Sequence, residues 1–462
     1  MGSNVIKLQS FVVAAVLFCG MTAMGQDTRP PLFQDIQVQT NPATPSATPL
    51  VSKTGSVTAA GVPTSGVRTL FPALASVEIP GYSGILIESL DGNVVLESNS
   101  NYTFNPASNV KIATAYAILK TFGPEFRFQT NVYTDGAVDP STGTLVGNLY
   151  ISGKDPMFSS QHAVVLAHEL NRLGIRSVSG DLIVSDNFVM NYSSSAQVSG
   201  RSLFTVIDAS KRSAAATRAW LEYLSYSGKF GTVATPPGIA FTGDVYVQPA
   251  PTNLNHLFTH ESAPVKEILK ANLCYSNNFL SERLGDLLGG PYSVARIVHL
   301  NASVPPAEFS IQTASGLGYN RVTPNAMMIL LRALRSDLAK YKLTFADIMP
   351  VAGVDKGTLE GRFDTDFSKG SVVGKTGTLN NTDGGVSALA GEVNTRNGKL
   401  LFVIFNQRGS VSRFRSFQNY FVSLVQGQFG GAVPVKYDAM SINTRLARSR
   451  ISYPDNATLG NE

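Results

Sequence analysis

The stretch from Ser108 to Thr121 constrains the fold more than any other part of the sequence. If it forms a helix, apolar side chains cover most of the circumference of that helix, namely Ile112, Ala113, Ala115, Ala117, Ile118 and Leu119. A helix that is apolar on nearly all sides is enclosed by other elements instead of lying on a protein surface. The sequence therefore predicts that this helix is buried on almost every side.

Ser108 and Lys111 lie at the start of this helix and form the only Ser-x-x-Lys pattern in the chain. Residues three apart on a helix lie on the same face, one turn from each other. Burial would lower the pKa of the lysine, so that a neutral amine could take the proton of the serine hydroxyl. The pair predicts a nucleophile and its base. The alternative, a helix-capping serine with a surface lysine, is disfavoured by the apolar surroundings.

A second candidate, Ser276-Asn277-Asn278, interrupts a long helical region over residues 263–289. The Ser276 hydroxyl could pass a proton between a lysine and a leaving amine, and the Asn278 amide could hold a substrate carbonyl. Two other segments, Ser185-Asp186-Asn187 and Ser441-Ile442-Asn443, fit the same Ser-x-Asn pattern. The first follows a predicted strand and the second lies in a polar tail, so the break in the helical region favours Ser276.

Lys375-Thr376-Gly377 is the third candidate and lies within a predicted strand over residues 371–379. A cationic lysine on a strand can hold a substrate carboxylate, with the threonine hydroxyl beside it. Glycine allows a substrate backbone to approach closely. The same tripeptide occurs at Lys53-Thr54-Gly55, but no strand pattern surrounds that copy. The order and local structure of the three candidates agree with the motif trio of penicillin-binding proteins and class A β-lactamases.

Residues 1–25 have the pattern of an export signal, with Lys7 as the only charge and an apolar run before small residues. Cys19 leaves lipidation open as an alternative. Export predicts a periplasmic or other extracytoplasmic location. The predicted organisation is a signal peptide over 1–25, a flexible tether rich in Pro, Thr and Ser over 26–76, a catalytic domain over 77–127 and 256–430, an inserted domain over 128–255, and a loose C-terminal tail over 431–462.

Short apolar runs and turn residues predict the main strands. Residues 145–188 have a β-α-β pattern, in which an amphipathic helix ends at Gly174. Residues 371–379, 386–393 and 400–405 are predicted to be three successive strands. His256 and His260 are four apart, which would suit a metal on a helix. The chain offers no obvious third ligand, so both are predicted to be ordinary core or surface histidines.

The composition limits the classes of partner. Hydrophobic residues make up 43% and charged residues 15% of the chain, which is enough apolar material for a sizeable core. The formal net charge of +5 is spread thinly and forms no basic cluster. No nucleic-acid partner is therefore predicted. A mild positive charge is compatible with peripheral association with an anionic membrane or cell wall.

Several segments resemble the class C low-molecular-mass penicillin-binding proteins, which are D-alanyl-D-alanine carboxypeptidases and endopeptidases. The resemblance begins at Pro106-Ala107-Ser108-Asn109-Val110-Lys111 and covers roughly residues 80 to 425. The other similar segments are Gly123-Pro124-Glu125-Phe126-Arg127-Phe128, Gly180-Asp181-Leu182-Ile183-Val184, Ser315-Gly316-Leu317, Val351-Ala352-Gly353, Gly357-Thr358-Leu359 and Gly374 to Leu379.

The resemblance implies an α+β fold: a penicillin-binding/β-lactamase-like transpeptidase domain, whose antiparallel sheet has helices on both faces, with an inserted α/β domain. It implies that Ser108 forms an acyl-enzyme with peptidoglycan stem peptides, and that the backbone N–H groups of Ser108 and Thr378 hold the oxyanion. Lys375, Thr376 and Gly377 would bind the terminal carboxylate side of the substrate. β-Lactam antibiotics would acylate the same serine, and no metal or organic cofactor is implied.

The same resemblance implies that three further residues contact the side chain of meso-diaminopimelate in the stem peptide, namely Arg362, Asn380 and Asp186. The sequence also departs from the family pattern. Thr313 stands where an aspartate is usual, Lys356 is an extra residue, and the span between Ser108 and Ser276 leaves room for one full insertion instead of two.

Two alternative functions remain open from the sequence. A β-lactamase would need fast deacylation by a positioned glutamate, and the long span before Ser276 argues against the compact layout of such enzymes. A non-catalytic wall-binding protein with the same fold would not need Ser108, Lys111 and Lys375, all of which are present. The balance between carboxypeptidase and endopeptidase activity is not determined by the sequence.

Overall fold

The computed structural model of the chain describes residues 66–210, 214–228 and 236–454. The strands are β1 (Arg68–Thr69), β2 (Tyr82–Ser89), β3 (Val94–Ser98), β4 (Gln129–Thr134), β5 (Ala137–Asp139), β6 (Thr144–Val146), β7 (Leu149–Gly153), β8 (Ser177–Val178), β9 (Leu182–Val184), β10 (Ala240–Phe241), β11 (Val245–Val247), β12 (Asn255–Glu261), β13 (Phe309–Ser310), β14 (Arg321–Val322), β15 (Val372–Leu379), β16 (Val386–Thr395), β17 (Gly398–Gln407) and β18 (Arg450–Ser452).

The helices are α1 (Pro72–Ala75), α2 (Val110–Phe122), α3 (Ser160–Arg172), α4 (Ala196–Ile207), α5 (Ala214–Tyr226), α6 (Val265–Tyr275), α7 (Asn278–Leu287), α8 (Pro291–Ala302), α9 (Pro324–Lys340), α10 (Phe345–Ile348), α11 (Val411–Gln428) and α12 (Ile442–Leu446). Every side chain from Val110 to Leu119 in α2 is buried. The prediction of a helix that is enclosed on almost every side is therefore confirmed.

The first sheet, as far as the described residues show, has six antiparallel strands in the order β1-β3-β2-β17-β16-β15. Strand β17 explains why both faces of this sheet are covered. Its side chains Leu401, Val403 and Phe405 pack with α2, α6, α8 and α9, whereas Phe402 and Ile404 pack with α11. Because successive side chains of a strand point to opposite faces, an uninterrupted apolar strand needs cover on both sides.

A second sheet has the order β11-β9-β7-β4-β12-β18. Strands β7, β9 and β11 are parallel, and α3 connects β7 to β9, which confirms the predicted β-α-β unit. Helices α3, α4 and α5 contribute to a separate apolar core against this sheet. The fold is thus α+β, with an antiparallel sheet between helices and a second sheet that has α/β connections.

The folded part begins earlier than the sequence predicts. The predicted tether reaches residue 76, yet β1 pairs with β3 and Leu74 in α1 is completely buried. An edge strand of two residues is too short to produce a visible alternation, so the Pro- and Thr-rich composition dominates the pattern. The predicted signal peptide and the tether up to residue 65 lie outside the described residues.

The second sheet also extends past the predicted domain boundary at residue 255. Strand β12, which was predicted to open the second part of the catalytic domain, pairs with β4 from Asn255 to Glu261. Pro251 and Asn253 mark a turn just before β12. A turn does not show which strand β12 joins, because the pairing with β4 connects segments more than a hundred residues apart.

The predicted loose tail is wrong for residues 431–454. Strand β18 pairs with β12, and Ile442 in α12 packs against Ala271 and Cys274 of α6. Arg445 and Arg448 both bond the carboxylate of Glu267, at 2.8 and 2.9 Å. The tail is polar because its arginines pair with buried carboxylates, and a local sequence pattern does not show such partners.

We expect Arg445→Ala to lower the free energy of unfolding by about 2–3 kcal/mol, because Glu267, which is 2% exposed, would lose one of two cationic partners. Denaturant unfolding at neutral pH measures the change. The control is Arg413→Ala, whose ion pair with Glu78 spans 4.0 Å at the surface and should contribute about 0–1 kcal/mol. Equal losses in the two variants would contradict a stabilising role for the tail.

None of the helices in the described part of the chain is both long and apolar enough to cross a membrane.

Candidate active site

Ser108 lies in a short 3-10 turn that leads directly into α2. Ala107, just before it, has a left-handed backbone with φ of 47°, which costs a non-glycine residue about 1–3 kcal/mol. Close packing holds this turn. A Cβ at Gly316 would lie 1.9 Å from the Ala107 carbonyl oxygen, and one at Gly377 would lie 2.6 Å from the Pro106 carbonyl oxygen. Only glycine fits at these two positions, so the segments that carry them fix the backbone that presents Ser108.

Lys111 lies one turn further along α2 and is completely buried. Its Nζ donates hydrogen bonds to Ser108 Oγ at 3.1 Å, to Asn278 Oδ1 at 2.7 Å and to the Ser315 carbonyl oxygen at 2.5 Å. Burial lowers the pKa of Lys111 to about 7, and the negative charge of Glu282 partly opposes this effect. The amine can therefore lose its proton near neutral pH while it contacts the serine hydroxyl.

Glu282 belongs to the site, and the sequence analysis missed it. Its carboxylate accepts hydrogen bonds from the backbone N–H groups of Ala314 at 3.2 Å and Ser315 at 3.0 Å. It thereby holds the segment whose carbonyl bonds Lys111. Glu282 follows Asn278 by four residues on α7, which places the two on one helix face. This spacing of four residues is the sequence feature from which Glu282 could have been predicted.

Ser276 and Lys375 form a second serine-lysine contact. Ser276 ends α6 in a left-handed conformation, with φ of 55° and ψ of 43°, and Asn277 caps the start of α7 with its side chain. Lys375 Nζ donates to Ser276 Oγ and to the Thr376 carbonyl oxygen, both at 2.8 Å. Burial, together with the charge of Lys111, holds the pKa of Lys375 well below its usual value. The predicted break in the helical region is therefore the turn that directs Ser276 toward β15.

These groups meet in a cleft of about 680 Å³ that runs along β15, the edge strand of the first sheet. Six of the residues predicted from the sequence line it: Ser108, Ser276, Asn278, Thr376, Thr378 and Arg362. Among the described residues that line the cleft, two are arginines and none carries a carboxylate. The cleft therefore has a positive charge that suits an anionic substrate.

Of the other predicted residues, Lys111 and Lys375 bond serines that line the cleft and Gly377 lies between two lining residues, whereas Asn380 and Asp186 are not in its lining. Asn380 is exposed just after the end of β15, and Asp186 is exposed and lines a separate pocket with Lys154 and Arg283. The rival Ser-x-Asn segment that contains Asp186 closes on itself, because Ser185 donates to the Asn187 side chain at 2.8 Å. Of the predicted group of Arg362, Asn380 and Asp186, the described lining of the cleft contains Arg362. Asp186 lies in the turn that follows β9 of the second sheet.

The hydrogen-bond partners of Arg362 among the described residues are neutral. Its Nε donates to Asn419 Oδ1 at 2.9 Å and its Nη2 to Gln418 Oε1 at 3.0 Å, both on α11. Burial, and then the charge of Arg415, lowers the pKa of Arg362 to about 10. Arg415, which the sequence analysis did not single out, donates to Thr378 Oγ1 at 2.9 Å. Two neighbouring guanidinium groups without a carboxylate among these contacts favour the arrival of an anion.

The remaining candidate patterns lie away from the cleft. Ser441 caps α12 by accepting from the Thr444 N–H at 3.1 Å, and the second Lys-Thr-Gly copy lies outside the described residues. His256 and His260 lie on β12, a strand, and not on a helix. Over the ranges that the structure describes, no three His, Cys, Asp or Glu side chains are grouped as metal ligands.

Comparison with known proteins identifies the same kind of enzyme. The model of the D-Ala-D-Ala carboxypeptidase 3 (S13) family matches residues 73–199 and 234–423. The D-alanyl-D-alanine carboxypeptidase of Actinomadura sp. (strain R39) is 26% identical in an alignment of 435 positions, and the match covers 72% of this chain and 79% of that protein.

A solved structure, Bd3459, a predatory peptidoglycan endopeptidase from Bdellovibrio bacteriovorus, is similar with a TM-score of 0.68 and 22% identity. The match covers 78% of this chain and 96% of that one. A penicillin G-acylated form of the same protein, in complex with an immunity protein, matches with a TM-score of 0.66. Since the family model covers more than half of the chain and the solved structures share its fold, this chain belongs to the S13 family of D-Ala-D-Ala carboxypeptidases, which are serine peptidases with the penicillin-binding fold.

Proposed function

We propose that this S13 peptidase uses Ser108 as its nucleophile and trims the terminal D-alanine from peptidoglycan stem peptides. The observation that carries the assignment is the 3.1 Å contact between Lys111 Nζ and Ser108 Oγ, in a site where burial lowers the pKa of the amine to about 7. A neutral amine at this distance can take the hydroxyl proton as the oxygen attacks.

In the proposed acylation step, Ser108 Oγ attacks the carbonyl carbon between the two terminal D-alanines. Lys111 takes the proton, and the backbone N–H groups of Ser108 and Thr378 hold the oxyanion. Donors of this kind contribute about 2.7–4 kcal/mol each to transition-state stability. The intermediate then breaks the C–N bond, and the leaving amine receives its proton through Ser276, whose hydroxyl contacts Lys375 at 2.8 Å.

Lys375, Thr376 and Gly377 are proposed to hold the carboxylate of the leaving D-alanine, and Asn278 to hold a substrate carbonyl. Water then attacks the ester on Ser108, with Lys111 as the base, and releases the shortened stem peptide. A β-lactam would acylate Ser108 by the same first step, and the penicillin G-acylated state of the Bdellovibrio neighbour supports this. The proposed chemistry needs protein groups and water alone.

Endopeptidase activity is a second candidate, because a neighbour of the same fold is named an endopeptidase and the cleft is open along the edge of β15. Both activities break the bond after a D-alanine. Mass spectrometry of products from a free pentapeptide and from a cross-linked peptide dimer separates them. We expect loss of D-alanine from the pentapeptide. A folded protein that gives no product from either and takes no penicillin label would instead be a non-catalytic wall-binding protein.

We also propose that the chain is exported, with residues 1–25 as the signal, and acts in the periplasm or another extracytoplasmic compartment. The support is the sequence pattern of that segment together with a substrate class that lies outside the cytoplasm.

We expect Arg362→Ala to lower kcat/KM about 10- to 100-fold on a pentapeptide with diaminopimelate at the third position. The physical reason is the loss of charge-assisted hydrogen bonds to the side-chain carboxylate, which contribute about 1.5–3 kcal/mol. A pentapeptide with lysine at that position has no such carboxylate, so its turnover should change less than about threefold. Arg335→Ala, on α9 outside the cleft, is the control. An equal drop on both peptides would remove Arg362 from the substrate site.

A further inference from the structure

Beside Arg362 the catalytic cleft is adjacent to a second compartment of about 420 Å³. Gly361 and Asn419 line both cavities, so the two are neighbours along the same wall. The loop that carries Phe363 and Phe367 forms one side of the compartment, and α11 forms the other. No step of the mechanism above uses this compartment.

The two cavities follow a single face of α11. Arg415 lines the cleft, Asn419 lines both cavities, and Ser423 and Gly427 line the compartment. Each of these four residues follows the previous one by four positions, so that they lie one above the other along the helix. At 1.5 Å per residue, Arg415 and Gly427 are about 18 Å apart. This distance equals about five residues of extended peptide, which is more than the two D-alanines and the third residue require.

The compartment differs chemically from the cleft. Phe367 is 89% exposed, although large aromatic side chains are usually well buried in folded proteins. Thr365, Ser423 and Gln426, which carry hydroxyl and amide groups, line the same compartment, and Asp364 is the one charged side chain among the described residues of that lining. A flat apolar ring bordered by neutral donors and acceptors suits a sugar, whose C–H face stacks on the ring while its hydroxyls form hydrogen bonds.

We propose that this compartment binds the amino-terminal part of the stem peptide together with the N-acetylated sugar to which that part is attached. The inference rests on the proposed function, since it takes the scissile end of the stem to lie at Ser108. The third residue would then meet Arg362, and the residues before it would follow α11 toward Phe367. The enzyme accordingly prefers stem peptides that are still attached to glycan over free peptides.

The test compares one pentapeptide with the same pentapeptide carrying an N-acetylglucosamine–N-acetylmuramic acid disaccharide on its amino end. In the wild-type protein, kcat/KM should be about 10-fold or more higher for the glycosylated substrate, mainly through a lower KM. Phe367→Ala should remove this advantage, because the sugar is proposed to stack on that ring, and should change turnover of the free pentapeptide far less. Tyr420→Ala is the matched control, because Tyr420 is a 60% exposed aromatic on α11 that lines neither cavity.

A blocking variant gives a second measurement. Ser423→Trp should fill the compartment and raise KM for the glycosylated substrate more than for the free pentapeptide, whereas Tyr420→Trp should change neither KM. If the free pentapeptide is cleaved but the sugar gives no advantage, or if Phe367→Ala keeps the advantage, the inference is overturned while the proposed function stands. A different outcome is that a sugar-free cross-linked dimer is cleaved with a higher kcat/KM than the free pentapeptide. If Phe367→Ala removes that difference, the compartment binds a second stem peptide and the sugar assignment is overturned. If the protein neither cleaves the free pentapeptide nor takes a penicillin label, the proposed function itself is wrong.

Discussion

Replacing Ser108 by alanine is expected to abolish labelling of the protein by a fluorescent penicillin and to lower pentapeptide turnover by about 10⁴-fold or more. Alanine has no Oγ, so no ester to the antibiotic or the peptide can form. Gel fluorescence, followed by mass spectrometry of the labelled peptide in the wild-type protein, measures the effect and identifies the acylated residue.

A second serine in the same cleft could also be the nucleophile. Ser276 Oγ also contacts a buried lysine, at 2.8 Å from Lys375 Nζ. The two serines differ in their position on a helix. Ser108 lies at the start of α2, where the helix dipole stabilises negative charge, whereas Ser276 lies between the end of α6 and the start of α7, whose dipoles oppose each other there.

We therefore expect Ser276→Ala to keep a penicillin adduct on Ser108, formed at a lower rate. An adduct on Ser276 in the Ser108→Ala variant would overturn the assignment of the nucleophile. The pair of variants thus separates the attacking serine from the serine that is proposed to pass a proton.

The parts of the fold and site that could be predicted depend on patterns within one segment. Helix α2 was predictable because its apolar residues cover the whole helix, and β15 to β17 because each strand is an apolar run next to a turn. Ser108 and Lys111 were predictable because the spacing of residues on one helix brings them together. Lys375 was recognised because its tripeptide lies inside such a strand.

The parts that could not be predicted depend on contacts between distant segments. Arg415 reaches the cleft from α11, where it looks like any other polar residue of a surface helix. The arginines of the C-terminal segment pair with Glu267, which is about 180 residues earlier in the chain. Neither contact has a local signature. The role of Asp186 was expected from the family resemblance alone, and the structure places this residue in a separate pocket.

Lys111→Arg is expected to lower acylation by penicillin about 10²- to 10⁴-fold, the usual contribution of a general base. Arginine keeps the positive charge and the hydrogen-bond donors, but it cannot lose its proton at working pH. Timed acylation assays at several pH values measure the effect. Lys120→Arg is the matched control, since Lys120 lies on the same helix and forms an ion pair with Asp337 at 3.1 Å. Acylation within a few-fold of the wild-type rate would show that Lys111 has a structural role only.

The pH dependence of acylation in the wild-type protein also tests whether Lys111 is the general base. A purely structural role of Lys111 would not produce this pH dependence. The base is the neutral amine, and the pKa of Lys111 is about 7. Acylation should therefore rise about tenfold per pH unit below that value and level off above it. The carboxylate of Glu282 raises the pKa of Lys111, so Glu282→Gln should move the rising limb to lower pH, while the amide oxygen of the new side chain still offers an acceptor to the Ser315 N–H. A limb that stays in place, or moves to higher pH, would mean that the titrating base is a group other than Lys111.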